Sequence, residues 1–126
     1  MKRIIKTTNA PAPIGPYNQA VKAGDFLYVS GQIAINTTSG ELVTGNIEAE
    51  TEQVMKNIDA ILREAGYSFS DIIKTTIFLS NMNLFAQVNE IYGSYFTADF
   101  PARETVAVAG LPKNVNVEIS VVAYRQ

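Results

Sequence analysis

The stretch PARETVAVAGLPKNVNVEISVVAY, residues Pro101–Tyr124, contains two valine-rich runs separated by the four residues Leu111–Asn114. Pro112 fixes its own φ and lacks a backbone N–H, so the separating residues are typical of a connection between strands. The pattern predicts a β-hairpin in which Val108 pairs with Val117. The candidate chemistry depends on this hairpin.

The predicted register assigns each side chain of the hairpin to one face, because side chains alternate along a strand. The apolar face contains Val106, Val108, Val117, Ile119 and Val121. The polar face contains Arg103, Thr105, Ala107, Ala109, Asn116, Glu118 and Ser120. A cation and a carboxylate are therefore expected on one face, with small alanines between them and room for a small ligand. The alternative interpretation of Arg103 and Glu118 is a surface ion pair.

The composition excludes several kinds of chemistry. A chain of 126 residues with 47% hydrophobic content fits one domain, residues 1–126, whose hydrophobic core is large enough without disulfides or bound metals. The absence of cysteine and histidine excludes disulfides, the usual zinc sites, thiol nucleophiles and imidazole acid–base chemistry. Catalysis would have to use Arg, Lys, carboxylates, hydroxyls or the backbone.

The charge distribution indicates no macromolecular partner of opposite charge. The formal net charge is −2, and no basic stripe is present, so nucleic acid is not an expected partner. The apolar run after Met1–Arg3 is too short for a signal peptide or a membrane-spanning helix. We expect a cytoplasmic protein that does not bind membranes.

The amino-terminal part contains two candidate site features. Arg3–Thr8 could form an edge strand, and the proline-rich segment Asn9–Pro16 predicts a stiff loop that holds Tyr17 in place. Tyr17 could instead only cap the core. Two strands, Gln19–Val21 and Asp25–Ile35, follow.

The second of these strands contains Ser30 and Gly31 within an otherwise apolar run. A glycine inside a strand indicates a bulge or a close approach to the backbone, so Ser30 could offer a hydroxyl and Gly31 an unobstructed N–H. A bulge that serves only sheet curvature is the alternative.

The middle of the chain predicts a helix, a strand and a second helix. Asn46 is a candidate N-cap for a helix that ends at Ala65 before Gly66, and its charged side chains are assigned to solvent. Ile72–Leu79 predicts a central strand covered on both faces, with the second covering supplied by another copy of the chain. A shorter helix follows at about residues 84–96.

Phe85 and Asn89 lie four residues apart in the shorter helix, so an aromatic surface is expected beside an amide. Asn89 could also be an ordinary residue at the core boundary. The order of strands and helices predicts an α+β fold, a mixed sheet with two helices on one face.

Seven short motifs resemble the RidA/YjgF family of imine deaminases over the whole chain. They are Asn9-Ala10-Pro11, Ile14-Gly15-Pro16-Tyr17, Ser30-Gly31-Gln32, Lys74-Thr75-Thr76, Pro101-Ala102-Arg103, Leu111-Pro112-Lys113 and Val117-Glu118-Ile119. The resemblance implies a chorismate-mutase-like fold, a homotrimer with three clefts between subunits, and hydrolysis of 2-iminobutanoate and 2-iminopropanoate to 2-keto acids and ammonia without cofactor or metal.

The resemblance also implies roles for particular residues. Arg103 would hold the substrate carboxylate, and Glu118 would position the attacking water. Tyr17, Ser30, Gly31, Phe85, Asn89 and Thr105 would line the cleft. The alternative is a regulatory trimer that binds a small carboxylic acid without turnover.

The chain departs from the family pattern after Arg103. Glu104 and Thr105 stand where the family commonly has a small residue and often a cysteine, and the connection 97–100 is short. Glu104 is expected on the face opposite Arg103; inside the site it would oppose a carboxylate.

Overall fold

The computed structural model describes residues 1–126 and contains one mixed six-stranded sheet and two α-helices. The strands are β1 Lys2–Ile5, β2 Ala20–Ala23, β3 Phe26–Gln32, β4 Ile72–Leu79, β5 Ala102–Ala107 and β6 Val117–Tyr124, and the helices are α1 Ile47–Ala65 and α2 Phe85–Gly93. The sheet order is β1-β2-β3-β6-β4-β5, and only β4 and β5 are parallel. The predicted α+β fold is confirmed.

The first helix begins and ends where its capping residues predict. The Asn46 side chain accepts a hydrogen bond of 2.7 Å from the backbone N–H of Ala49, and Gly66 ends the helix with φ of 82°. The second helix is shorter than expected, because a 3-10 turn at Met82–Leu84 precedes it and the helix ends at Gly93.

Both helices pack on one face of the sheet and enclose the core. Val54, Ile58 and Ile61 of α1 are fully buried, as their helical spacing predicts. They belong to the same core cluster as Ile77 of β4 and Ile119 of β6. The amino-terminal strand is the predicted edge strand, although it ends at Ile5.

The predicted hairpin is wrong, because β4 lies between the two strands that were expected to pair. Ile77 pairs with Thr105 of β5 on one side and with Ile119 of β6 on the other. The strand–helix–strand unit β4–α2–β5 makes β5 parallel to β4, as a helical crossover requires. The alternation of side chains relates the residues within each strand, but it does not identify which strand pairs with which.

The face assignment along β5 is also wrong. Val106 lies opposite Phe78 on the sheet face that carries no helix, which we call the open face, and it is 48% exposed. Val117 and Ile119 are buried beneath the helices instead. The expected apolar surface of five hairpin residues is therefore divided between two faces.

The open face contains several exposed apolar side chains. Phe26, Tyr28 and Tyr124 are exposed, and the Phe26 and Tyr124 rings lie 4.9 Å apart between centroids. The chain itself covers β4 only on its helix side. A patch of exposed aromatic side chains on a sheet face is typical of a surface that contacts another molecule.

Candidate functional site

One group of predicted site residues lies between β5 and α2, and we call it the arginine cleft. The Arg103 Nη1 atom donates a 2.6 Å hydrogen bond to Asn89 Oδ1. The guanidinium carbon lies 5.5 Å from the Phe85 ring centroid and 5.3 Å from the Tyr92 ring centroid. These contacts hold the planar guanidinium in one place, and its other N–H groups remain available to an anion.

The chain positions the arginine cleft through α2 and the edge of the sheet. Phe85 and Asn89 are neighbours on one helical face, as the i, i+4 spacing predicts. The buried Tyr92 hydroxyl donates a 2.9 Å hydrogen bond to Thr75 Oγ1 on β4, directly beside Arg103 in the register. Burial raises the pKa of Tyr92, so the phenol stays neutral and keeps this hydrogen bond.

The cleft has a volume of about 440 Å³ and lies at the surface. Its lining residues are Asn89, Tyr92, Gly93, Phe100, Pro101 and Arg103. Phe100 comes from the connection between α2 and β5, where Asp99 has φ of 53°. The shape of this rim therefore depends on the connection 97–100.

Thr105 and Glu104 follow Arg103 on opposite faces of β5. Thr105 shares the helix side with Arg103, and its hydroxyl is buried without a hydrogen-bond partner. Glu104 lies on the open face, where it accepts a 2.5 Å hydrogen bond from the Lys74 ammonium group. This contact holds the pKa of Glu104 below its usual range. Glu104 is on the face opposite Arg103, as expected.

A second group of predicted site residues lies on the open face, and we call it the glutamate group: Tyr17, Ser30, Gly31 and Glu118. The Glu118 side chain is half-buried, and burial raises the pKa of its carboxyl. A Cβ atom on Gly31 would lie 2.8 Å from the Glu118 carboxylate. Only glycine allows the carboxylate to occupy this position without a shift.

The strand β3 is irregular beside Glu118. The register against β6 shifts between Val29 and Gln32, which is the bulge that the Ser30–Gly31 pair predicts. The Ser30 hydroxyl donates a 2.6 Å hydrogen bond to the backbone oxygen of Asn18. The bulge therefore does more than curve the sheet, because it brings Gly31 against the carboxylate.

Tyr17 lies at the end of the proline-rich loop, near Gly31. The residue is 46% exposed, so it does not cap the core of the chain. Its hydroxyl oxygen accepts a 3.3 Å hydrogen bond from the backbone N–H of Ile14. Tyr17 and Gly31 line one small cavity of about 30 Å³.

The arginine cleft and the glutamate group of one chain lie on opposite faces of the sheet. Thr105 pairs with Ile77 on the helix side, whereas Glu118 pairs with Phe78 on the open face. The expectation that Arg103 and Glu118 share a face is therefore wrong for a single chain. The incorrect hairpin pairing is the reason. One small molecule bound to one chain could not contact both residues.

Sequence reasoning missed three side chains that support the two groups. Gln19 was predicted only as the first residue of a strand, and nothing in the sequence singled out Tyr92. Glu50 was assigned to solvent with the other charges of α1, and this is wrong because it is fully buried. Its spacing of four residues from Val54 was the available signal.

The Glu50 carboxylate organises the beginning of β6. It accepts hydrogen bonds of 2.7 Å and 3.2 Å from the backbone N–H groups of Asn116 and Val117, and one of 3.0 Å from the Asn116 side-chain amide. The Ser80 hydroxyl donates to the other end of that amide at 2.9 Å. The beginning of β6, just before Glu118, is therefore held in place by the side chains of Glu50 and Ser80.

The structure shows neither a cluster of metal-ligating side chains nor a helix that could span a membrane. No group of three or more acidic side chains is arranged to hold a metal ion. Neither helix combines the length and the apolar character that crossing a bilayer requires.

The fold places the chain in a class of small α+β proteins whose solved structures superpose on it almost completely. One of them is the Escherichia coli protein TdcF with bound serine, which has a TM-score of 0.94 and 40% identity, with coverage of 98% of this chain and 99% of that one. The family model described as Endoribonuclease L-PSP matches residues 7–125. The chain belongs to this family, which is the RidA/YjgF family.

Curated relatives carry several kinds of name, and one from Lactococcus lactis, named putative regulator AldR, is 54% identical over 121 residues, with coverage of 96% of each chain. A RutC family protein of Pyrococcus horikoshii is 53% identical over 126 residues, with complete coverage of both chains. The human 2-iminobutanoate/2-iminopropanoate deaminase is 46% identical over 123 residues, which cover 98% of this chain and 90% of the relative. The resemblance inferred from the seven motifs is confirmed at the level of the family.

Proposed function

We propose that this protein is a 2-iminobutanoate/2-iminopropanoate deaminase. In the reaction, water adds to the C=N bond of a 2-imino acid, and ammonia leaves to give the 2-keto acid. The observation that carries the proposal is the guanidinium of Arg103, which Asn89 and two aromatic rings fix at the edge of an open cleft. A fixed arginine fork suits a carboxylate, the group that all 2-imino acids share.

Glu118 is the proposed base for the water. Its carboxylate is half-buried, and desolvation is the only cause of its raised pKa. A raised pKa makes a carboxylate a stronger base toward water. The imine carbon is electrophilic once its nitrogen is protonated, so the proposed reaction requires neither a metal nor a cofactor.

We further propose that the working site lies between copies of the chain in a homotrimer. The arginine cleft of one copy would face the glutamate group of the next, because the two groups of a single chain lie on opposite sheet faces. The exposed aromatic side chains of the open face support a covering by another copy. Tyr17, Ser30 and Gly31 would then line the same cleft as Phe85, Asn89 and Thr105.

Generating 2-iminobutanoate in solution with a threonine dehydratase and following the appearance of 2-oxobutanoate tests the proposal. We expect wild type to accelerate hydrolysis and Arg103→Ala to abolish the acceleration. Arg63→Ala is the matched control, because Arg63 pairs only with Asp59 on the surface of α1. A wild type that is no faster than Arg103→Ala would refute the proposal.

A second candidate function is binding without turnover. The bound serine in the related TdcF structure favours it, because serine is a small carboxylic acid that this chemistry would not hydrolyse. In that case 2-oxobutanoate or serine would raise the melting temperature in an Arg103-dependent way, and imine hydrolysis would proceed at the uncatalysed rate.

A further inference from the structure

Gln19 is a buried amide between the proline-rich loop and β2, and only 4% of its surface is exposed. Its side-chain oxygen accepts a 2.7 Å hydrogen bond from the backbone N–H of Thr7. Its side-chain nitrogen donates to the backbone oxygens of Thr7, Ala10 and Pro11 at 3.0 Å, 3.2 Å and 2.8 Å. One side chain therefore holds both ends of the segment 7–11.

The backbone around Gln19 is joined to the bulge in β3. The Ser30 N–H donates a 2.9 Å hydrogen bond to the Gln19 backbone oxygen, and the Ser30 hydroxyl donates to the neighbouring Asn18 oxygen. Gly31 follows Ser30 and lies against the Glu118 carboxylate. Gln19 thus connects the loop that carries Tyr17 with the backbone that supports Glu118.

Apart from Ala10, which is buried in the core cluster, the loop has few other attachments that would hold it in this position. Side chains provide two further hydrogen bonds to its backbone near the amino-terminal end: Thr7 Oγ1 accepts one from the Asn9 N–H, and the Thr37 hydroxyl donates a 3.3 Å bond to the Asn9 oxygen. Prolines limit the internal freedom of the loop, so holding segment 7–11 also limits where Tyr17 can lie.

We propose that Gln19 is a positioning residue for the deaminase reaction: its amide holds the loop so that the Tyr17 ring stays beside Gly31 and Glu118. The inference rests on the proposed function, and it assigns to Gln19 no contact with the substrate. It predicts that Gln19 affects ligand binding through Tyr17, independently of its effect on stability.

The test compares Gln19→Met with Tyr67→Phe. Gln19→Met preserves size but removes all four hydrogen bonds. Tyr67→Phe removes a 2.8 Å hydrogen bond from a buried side chain to the Asp25 backbone oxygen, at the opposite end of the β2–β3 pair. We expect both variants to have lower melting temperatures. Well below those temperatures, only Gln19→Met should lose kcat/KM, by about tenfold, mainly through a higher KM.

A double-mutant cycle identifies the route of the effect. If Gln19 acts through Tyr17, Gln19→Met should cause no further loss of kcat/KM in a Tyr17→Ala background. Full additivity of the two losses would overturn the inference, and so would a Gln19→Met enzyme whose KM equals that of Tyr67→Phe. If Gln19→Met fails to fold, Gln19→Asn takes its place, because the shorter amide cannot reach all three carbonyls.

Calorimetric binding of 2-oxobutanoate to the same variants separates this inference from the proposed function. A wild type without turnover that binds 2-oxobutanoate would refute the deaminase, while a weaker affinity of Gln19→Met would still support the positioning role. Equal affinities of wild type and Gln19→Met would overturn that role whether or not the protein is an enzyme.

Discussion

The arginine cleft and the glutamate group are built in different ways. In the arginine cleft, the Arg103 side chain is held by other side chains. These are Asn89, Phe85 and Tyr92, which project from α2. In the glutamate group, the Glu118 carboxylate packs against the backbone of Gly31. Backbone hydrogen bonds of the β3 bulge and the neighbouring loop hold that backbone in place. No group of the same chain donates a hydrogen bond to the Glu118 carboxylate, whose pKa responds to burial alone.

The difference indicates what each group is suited to do. A cation that is held by an amide and two rings is already organised to receive an anion. A carboxylate without a fixed partner is free to accept a proton from water. The first group should be sensitive to the loss of a side chain, and the second should be sensitive to added volume or to movement of the backbone.

The largest expected effect is that of Glu118→Gln, which keeps the shape of the side chain and removes the base. We expect kcat for 2-iminobutanoate to fall by about a thousandfold, within the range of general base catalysis, while 2-oxobutanoate still binds. Steady-state kinetics and calorimetry measure the two quantities. A variant with wild-type kcat would show that Glu118 is not the base.

The raised pKa of Glu118 also predicts two dependences on pH. Activity that requires the carboxylate should be lost as pH falls through the raised pKa. The free energy of unfolding should change in the opposite sense, because a raised pKa means that the protonated carboxyl favours the folded state. This stabilising contribution of Glu118 is fully present below the usual pKa of 4.5, and it is lost as pH rises through the pKa of the folded state. Glu118→Gln should therefore raise the melting temperature at neutral pH but not at acid pH.

Mixing two inactive variants tests whether the groups act across copies. Arg103→Ala and Glu118→Gln chains, unfolded together in equal amounts and refolded, should recover about a quarter of wild-type activity, because mixed trimers contain one complete site of three. Each variant refolded alone should remain inactive. Failure of the mixture to recover activity, with mixed trimers verified by mass spectrometry, would place both groups in separate sites.

A smaller effect is expected from one added methyl group at Gly31. The new Cβ atom would lie 2.8 Å from the Glu118 carboxylate, so Gly31→Ala should displace the carboxylate and lower kcat by about tenfold. Gly45→Ala is the control, since a Cβ atom there meets nothing within 4 Å. Equal kcat values for the two variants would contradict the proposed placement of Glu118.

The smallest effect is expected for Glu104→Gln. Glu104 is exposed on the open face, and Lys74 offsets its charge. We expect kcat/KM for 2-iminobutanoate to change by less than about twofold, because an exposed, already paired charge acts weakly at a distance. A clear decrease in KM would instead show that Glu104 opposes the substrate carboxylate in the assembled protein.

The sequence predicted the parts of the fold that depend on local structure. Asn46, Gly66 and the apolar stripe of α1 defined the helix to the residue, and Ile72–Leu79 matched β4 in both bounds. Strand partners depend on distant residues, and alternation does not identify them. The strand–helix–strand order from Ile72 to Ala107 was a usable signal for a parallel pair, since such connections place the second strand beside the first.

Motif resemblance named the candidate site residues, but it did not give their arrangement. Tyr17, Gly31 and Glu118 were expected together, and the structure places them in one group. Their relation to Arg103 was inferred from a hairpin that does not exist, and the proposed site would join them to the Arg103 of another copy of the chain. Buried polar residues such as Gln19 and Glu50 have no distinctive sequence pattern, because the same residue types are common on surfaces.

The position of β6 has a consequence for how the protein is made. This strand follows the other five along the chain, yet it lies between β3 and β4 and joins β1-β2-β3 to β4-β5. Until residues 117–124 leave the ribosome, the nascent chain can form α1 and one three-stranded ladder, but not the complete sheet. Pairing of β6 with β3 also links residues that are about ninety positions apart, which is slow to establish. The growing chain therefore exposes the inner edge of β3 for most of its synthesis, and we expect chaperones to bind it there.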